Sequence, residues 1–375
     1  MKILVNGVTL EKGNIIPILL KIKTWQNKGS EVSIIGSKEL EKEIKKLNLL
    51  KKKYQFIQLC GTKKIKSKLH LIFEGLRRNL KLIKKIKEFR DFDVVYSISS
   101  VLDLILFPFF LKIVGKKIKW ATVFDNIVPL KDPGNKLLRF LGWLFFHLSL
   151  IFLKKADNIF VISKNLRDYL IRKGFDGKRV ILTGNAVETD LIRKAKADKK
   201  YNIDALFVGR INEAKGIYDL LEVLQIVKRK YLHFQLAIMG RGDMTTEKRY
   251  KGEIKDRKLE RNIQFLGYKT GLEKFNIIKS SKIFLFLSKS ESFGIALLEA
   301  VCSGIPALAY ALPAYKNIYQ NNEVMTFKKG DYQAVAEKII QLFAKKVFEN
   351  KNGELLINRY SWDEIATMEL NSFVA

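Results

Sequence analysis

Residues 288–304, SKSESFGIALLEAVCSG, constrain the fold of this chain more than any other stretch. The run before it, 283–287 (IFLFL), is short and apolar, which is how a buried strand reads. Residues 295–303 are built of strong helix formers, and Gly304 with Pro306 supplies the stop. A strand that turns through a polar loop into a helix makes a ligand site by geometry alone. The free N–H groups of the helix start, near Phe293 and Gly294, point beyond the sheet edge and favour an anion. Gly294 lets the backbone approach that ligand closely. Glu291 in the loop and Glu299 on the helix add two carboxylates, each able to accept two hydrogen bonds from a vicinal diol. Anion and diol together are the chemistry of a nucleotide sugar. The alternative is a solvated loop glutamate with a second on a helix surface.

The rest of the chain alternates in the same way. Strand-like runs at 2–6, 31–35, 54–59, 93–97, 118–123 and 158–162 are separated by helical stretches such as 14–27 and 38–47. That alternation predicts an α/β fold with a parallel sheet covered on both faces. Ligands in such sheets sit beyond the carboxyl ends of the strands. This singles out the loop through Gly7 and Gly13 and the loops after Val123 and Ile162. The second half repeats the pattern with strands at 203–208, 234–240 and 262–266 and helices at 217–229, 331–342 and 361–370. A chain of 375 residues exceeds one ordinary core and predicts two domains. Residues 193–200 (RKAKADKK) are charged and aperiodic, so they read as the linker, with the boundary near residue 195.

The Glu291–Glu299 spacing around Phe293-Gly294 resembles the signature of family 4 (group 1) retaining glycosyltransferases, which have the GT-B fold: two Rossmann-like domains facing each other across a cleft. Gly209-Arg210 followed by Lys215-Gly216 resembles the Gly-Arg…Lys-Gly motif of that family. Residues 156–163 (ADNIFVIS) and 184–187 (GNAV) match two landmarks at the end of its first domain. The likeness is strong over 203–310 and loose before. It implies an acceptor-binding domain at 1–195 and a nucleotide-sugar domain at 196–375. The last helix, about 361–375, would cross back onto the first domain, with Trp362 as its anchor.

The resemblance further implies a hexosyltransferase-type enzyme, retaining the anomeric configuration, that uses a UDP-, GDP- or ADP-linked donor and an acceptor hydroxyl. No metal and no other cofactor is expected. By position, Glu291, Ser292, Phe293, Gly294 and Ile295 would hold donor sugar and phosphate, Glu299 the ribose, and Gly13 would lie in a donor-binding loop. Arg210 and Lys215 would neutralise the diphosphate. The physics agrees, because a leaving diphosphate gains charge that fixed cations stabilise. Arg grips phosphate bidentately, while Lys acts as a point charge. Many members carry a His-Asp pair where this chain has Phe124-Asp125. Glu291 and Asp125 are the candidate catalytic residues; Asp125 is left with two roles, orienting an acceptor hydroxyl or a donor hydroxyl, against a third reading as a turn former.

The net charge is +31, and it is uneven: residues 1–190 carry 38 Lys and Arg against 17 Asp and Glu, or +21. Such a field implies nucleic acid, an anionic membrane or a phosphorylated substrate, unless it reflects compositional bias alone. Nucleic acid is disfavoured, since the aromatic residues are not interleaved with basic ones. The strongest amphipathic helix, 69–89, sets Leu69, Ile72, Phe73, Leu76, Leu80 and Ile83 on one face and Arg77, Arg78, Lys81, Lys84 and Lys85 on the other. The basic face is the one expected to meet lipid headgroups. Segments 101–114 and 137–153 are very apolar; the first is too short to span a bilayer and Arg139 and His147 interrupt the second, so both read as buried or interfacial helices. MKILVNGV reads as a first strand and not as a signal peptide. Cys60 and Cys302 give neither a disulfide framework nor a zinc site. The expectation is a cytoplasmic enzyme, peripheral on the inner face of the plasma membrane, that extends a glycan or lipid-linked acceptor for cell-surface polysaccharide or glycolipid. A GT-B binding protein without turnover is the second reading, and a nucleic-acid-binding protein the third.

Overall fold

Apolar strands buried on both faces are satisfied only as central members of a parallel sheet covered by helices. A computed structural model of the chain contains two such sheets and describes residues 1–10, 15–50, 53–59, 68–115, 117–128 and 136–374. Gly13 and Cys60 lie outside those residues. The chain forms two compact units, Met1–Ala186 with Trp362–Ala375, and Val187–Ser361.

In the first unit seven strands run in parallel: Lys2–Asn6 (β1), Glu31–Gly36 (β2), Gln55–Gln58 (β3), Val94–Ser97 (β4), Lys119–Phe124 (β5), Asn158–Val161 (β6) and Val180–Leu182 (β7), in the order β3-β2-β1-β4-β5-β6-β7. The chain steps one way from β1 to β3 and the other way from β3 to β7. Right-handed crossovers therefore place Ile16–Asn27 and Lys38–Leu47 on one face, and Lys68–Lys84, Leu102–Val114 and Lys136–Leu153 side by side on the other. Each face has its own core: Trp25, Ile34 and Tyr96 belong to one, and Leu82, Phe107, Trp120 and Phe146 to the other.

The helix Trp362–Val374 completes the first of these faces. Trp25 Nε1 donates to the Ala366 carbonyl at 3.0 Å and Thr24 Oγ1 to Asp363 at 2.9 Å. Lys21 Nζ meets Glu369 Oε1 at 2.5 Å, and Tyr96 donates its hydroxyl to the same carboxylate. Lys21 also sits 5.8 Å from the Trp362 ring centre.

The second unit holds Ile203–Val208 (β8), Leu236–Met239 (β9), Ile263–Gly267 (β10), Ser281–Phe286 (β11), Ala307–Tyr310 (β12) and Val324–Phe327 (β13), in the order β10-β9-β8-β11-β12-β13. β8 and β11 are neighbours whose onward connections leave in opposite directions. That makes the gap above their carboxyl ends a topological switch point, where open α/β sheets bind ligands.

Two sequence expectations are corrected. The boundary near 195 and the linker at 193–200 give way to a division after Ala186, because the charged run is fastened to the second unit. Thr189–Lys194 is a helix with Ile192 buried, the Lys196 amide donates to Asn276, and the Asp198 amide donates to Ser280. The helix read over 69–89 is Lys68–Lys84 followed by a 3-10 turn at Ile86–Phe89, and its two faces are not divided as expected: Lys81, Lys84 and Lys85 are exposed, but Arg78 of the basic set turns inward and part of the apolar set turns outward. Arg78 is buried, donating to the Val8 carbonyl and to Glu74, which also takes Arg77. Asn79 bridges to the backbone of Asp103 and Phe107. With these polar groups satisfied inward, Phe73 stands 70% exposed and Leu76 and Leu80 join it.

Candidate functional site

The turn after β8 is pressed against the end of β11 by its glycines. Gly216 has φ +73°, and a Cβ there would fall 1.9 Å from the Leu287 carbonyl oxygen. Two hydrogen bonds to the Ala214 carbonyl seal the contact, one from the Lys289 amide at 2.9 Å and one from the Ser288 side-chain Oγ at 3.2 Å. Asn212 caps the 3-10 turn Glu213–Lys215 by accepting from the Lys215 amide. This seating carries the Lys215 side chain across to the polar loop after β11, where Nζ lies 2.5 Å from Glu291 Oε1. Both side chains are largely shielded from water.

Phe293 is buried against the Tyr360 ring, and Gly294, at φ +86°, opens the helix Ile295–Cys302. Its first N–H groups, at Ile295 and Ala296, have no helical carbonyl behind them and lie at the switch point, while the Leu297 amide donates to the Gly294 carbonyl. Tyr315 lies beneath this turn: a Cβ on Gly294 would come within 3.0 Å of its ring. Burial, with the Glu291 charge adding to it, raises the pKa of the Tyr315 phenol. Glu299, one turn into the helix, is buried and accepts from Lys274 Nζ at 2.6 Å. Glu188 shares this neighbourhood. Burial raises its pKa, Lys274 opposes the rise and Glu299 adds to it.

Arg210 stands exposed just past β8, and its side chain makes no ion pair or hydrogen bond among the described residues. Ser292 and Ile295 line the same loop and helix start, Ile295 with its side chain partly in water. The structure thus brings Lys215 together with Glu291, and sets Phe293, Gly294 and Glu299 on the adjoining turn and helix. Sequence reasoning missed Lys274, Glu188 and Tyr315. Among the described residues no group of three or more His, Cys, Asp and Glu could hold a metal ion.

Asp125 belongs to the first unit, directly after β5. Desolvation by the surrounding protein raises its pKa, while its own amide and the Ser99 hydroxyl hold it down. In the same unit Thr9 Oγ1 donates to Asp103, whose carboxyl is also raised by burial.

The second unit thus carries a switch-point site with a lysine–carboxylate pair, a glycine-opened helix and a second buried glutamate. Residues 188–359, nearly the whole second unit, match the family model for glycosyl transferases group 1. The phosphatidyl-myo-inositol mannosyltransferase of Mycobacterium leprae is 30% identical over 168 residues, covering 43% of this chain. The chain spans only 44% of the length of that relative. Two solved structures extend over both units: sucrose-phosphate synthase from Thermosynechococcus elongatus (TM-score 0.74, 16% identity, 99% of this chain and 98% of that one) and Anabaena HepE in complex with UDP and glucose (TM-score 0.73, 13% identity, 100% and 99%). The fold is GT-B.

Proposed function

We propose that the protein is a retaining glycosyltransferase that takes a hexose from a nucleotide-sugar donor bound on the second unit and passes it to an acceptor hydroxyl bound on the first. The observation that carries this reading is the Lys215–Glu291 contact at the switch point, beside the helix start at Gly294. A cation, a carboxylate and free amides within one loop cluster match a diphosphate joined to a sugar. As the glycosidic bond breaks, charge grows on the leaving diphosphate. Lys215, held by Glu291, and the amides of the Phe293–Ile295 turn are positioned to meet it, and the exposed Arg210 adds its charge nearby. Glu291 accepts from donor-sugar hydroxyls, and Glu299, oriented by Lys274, accepts from the ribose diol. Asp125 orients the acceptor or a donor hydroxyl.

The donor is linked to UDP, GDP or ADP, and the acceptor is a glycan or a lipid-linked glycan. The name of the mycobacterial relative supports the lipid branch, because it specifies a phosphatidylinositol acceptor. The same reading puts the protein in the cytoplasm at the inner face of the membrane, making cell-surface polysaccharide or glycolipid. The test is a panel of nucleotide sugars, scored by thermal shift and by slow hydrolysis. One nucleotide class is expected to stabilise the protein, and Lys215→Ala with Glu291→Gln should abolish hydrolysis. A panel in which no nucleotide sugar shifts or turns over would sink the proposal.

A further inference from the structure

The outer surface of one helix layer in the first unit is apolar where a charged one is expected. Lys68–Lys84, Leu102–Val114 and Lys136–Leu153 lie side by side on one sheet face. Each turns toward water some of the side chains that a soluble helix hides. Phe73 and Leu80 stand out from the first, Ile113 from the second, and Leu137, Phe140 and Ile151 from the third, all at least half exposed. Their spacing follows the helical repeat. On Leu102–Val114 the core takes Leu104, Ile105, Phe107 and Leu111, while Phe110, Ile113 and Val114 form the opposite stripe. The third helix is long and apolar enough to cross a bilayer, yet only 22% of its 18 residues are buried. An exposed apolar face of this breadth marks an interaction site.

We propose that this face inserts its side chains at the boundary between headgroups and acyl chains of an anionic membrane, with Lys136–Leu153 lying in the membrane plane. The charge around the face selects this occupant. Lys81, Lys84, Lys136, Lys154 and Lys155 are exposed at its margins, whereas Glu74 and Asp103 are tied up in internal hydrogen bonds. A second copy docked face to face would set those lysines against each other, but anionic headgroups would pair with them. The helix lies flat and does not span, because Phe146, Leu150 and Leu153 are anchored in the core beneath it. Insertion is therefore led by apolar side chains, and the basic residues add to it. This inference does not depend on the transferase reading.

The experiment uses the full chain with vesicles of phosphatidylcholine and phosphatidylglycerol. At about 1 M salt, where the screening length is about 3 Å, a substantial bound fraction should persist. Phe73→Ser/Leu80→Ser/Phe140→Ser should lower that fraction at least tenfold while thermal melting stays unchanged. Lys81→Gln/Lys84→Gln should reduce only the extra binding seen at low salt. Trp143, on the third helix, should be quenched by lipids brominated in the acyl chain, and Trp143→Phe should remove the quenching. Binding that salt abolishes completely, or that the serine variant retains, would overturn the inference. So would wild-type protein that ignores vesicles but self-associates in solution and becomes monomeric with the serine substitutions.

Discussion

Lys215 stands between two partners, the carboxylate it already holds and the diphosphate proposed for it, and its substitution acts on both. Lys215→Ala removes a cation from the leaving group and leaves Glu291 shielded without its partner. Turnover should fall by about 10²–10³, the size typical for one transition-state donor. Arg210→Ala, at an exposed position, should weaken nucleoside diphosphate binding by about tenfold or less. If both variants keep wild-type affinity and turnover, neither belongs to the site. The two glutamates should separate kinetically, with Glu291→Gln lowering kcat and Glu299→Gln mainly raising the donor KM; the reverse partition would exchange their roles. Glu188 supplies a pH signature. Its pKa is raised by burial, so on acidification it takes a proton at a pH above the ordinary carboxylate range. The site then loses one negative charge, and nucleoside diphosphate binding should tighten through that window. Glu188→Gln should remove this step from the titration, and an unchanged profile would detach Glu188 from the site. At this scale the sequence was informative wherever a residue sat inside a contiguous motif, as Glu291, Gly294 and Lys215 do. Lys274 was not legible, because its partner Glu299 lies 25 positions away and only the fold joins them.

Glycines decide how the elements meet at the site, and they are testable one at a time. Gly216→Ala combines a left-handed φ with a Cβ driven into the Leu287 carbonyl, a backbone atom that cannot swing aside. A loss of about 3 kcal/mol or more is expected in denaturant unfolding. Gly304, at φ +80°, has open space where its Cβ would go, so Gly304→Ala should cost only the local strain, about 1–2 kcal/mol. Equal losses would mean that the seating of the Lys215 turn on β11 is not tight. The elements themselves were largely readable. β1 and β8 fall at the expected residues, since runs such as ILV and IDALFV admit little else. The orientation of Lys68–Lys84 was not readable from its apolar stripe. A second stripe, Glu74, Gly75, Arg78, Asn79 and Leu82, has the same helical spacing and wins the interior because Val8, Asp103 and Phe107 offer it hydrogen bonds. Those partners come from other parts of the chain, which no local periodicity contains.

At the scale of the whole molecule, the chain leaves its first unit at Ala186 and returns to it at Trp362, so the ends of the sequence share one core. The return is fixed by chemistry that local sequence hides: a buried Lys21–Glu369 pair, a tryptophan N–H on a helix carbonyl, and Trp25 edge-on to Phe373 at 5.9 Å. The division after Ala186 was equally hidden, because the charged run 193–200 carries the composition of a linker but the hydrogen bonds of a folded segment. This layout predicts that stability can be altered one unit at a time. Trp25 is fully buried between the first helix and the last, so Trp25→Ala should destabilise the first unit by about 3–5 kcal/mol. A nucleoside diphosphate at about 100 times its Kd should stabilise whatever it binds by about 2.7 kcal/mol. All the residues proposed to hold it lie within Val187–Ser361 apart from Gly13, which is outside the described residues. Hydrogen exchange followed by peptide mapping resolves the two effects. The tryptophan variant should lose protection in peptides of Met1–Ala186 and of the last helix, and the nucleotide should add protection around β8, β11 and the helix Ile295–Cys302 in wild type and variant alike. Nucleotide protection that vanishes in Trp25→Ala would mean that the donor site requires the first unit intact, and the assignment of the donor to the second unit alone would fail.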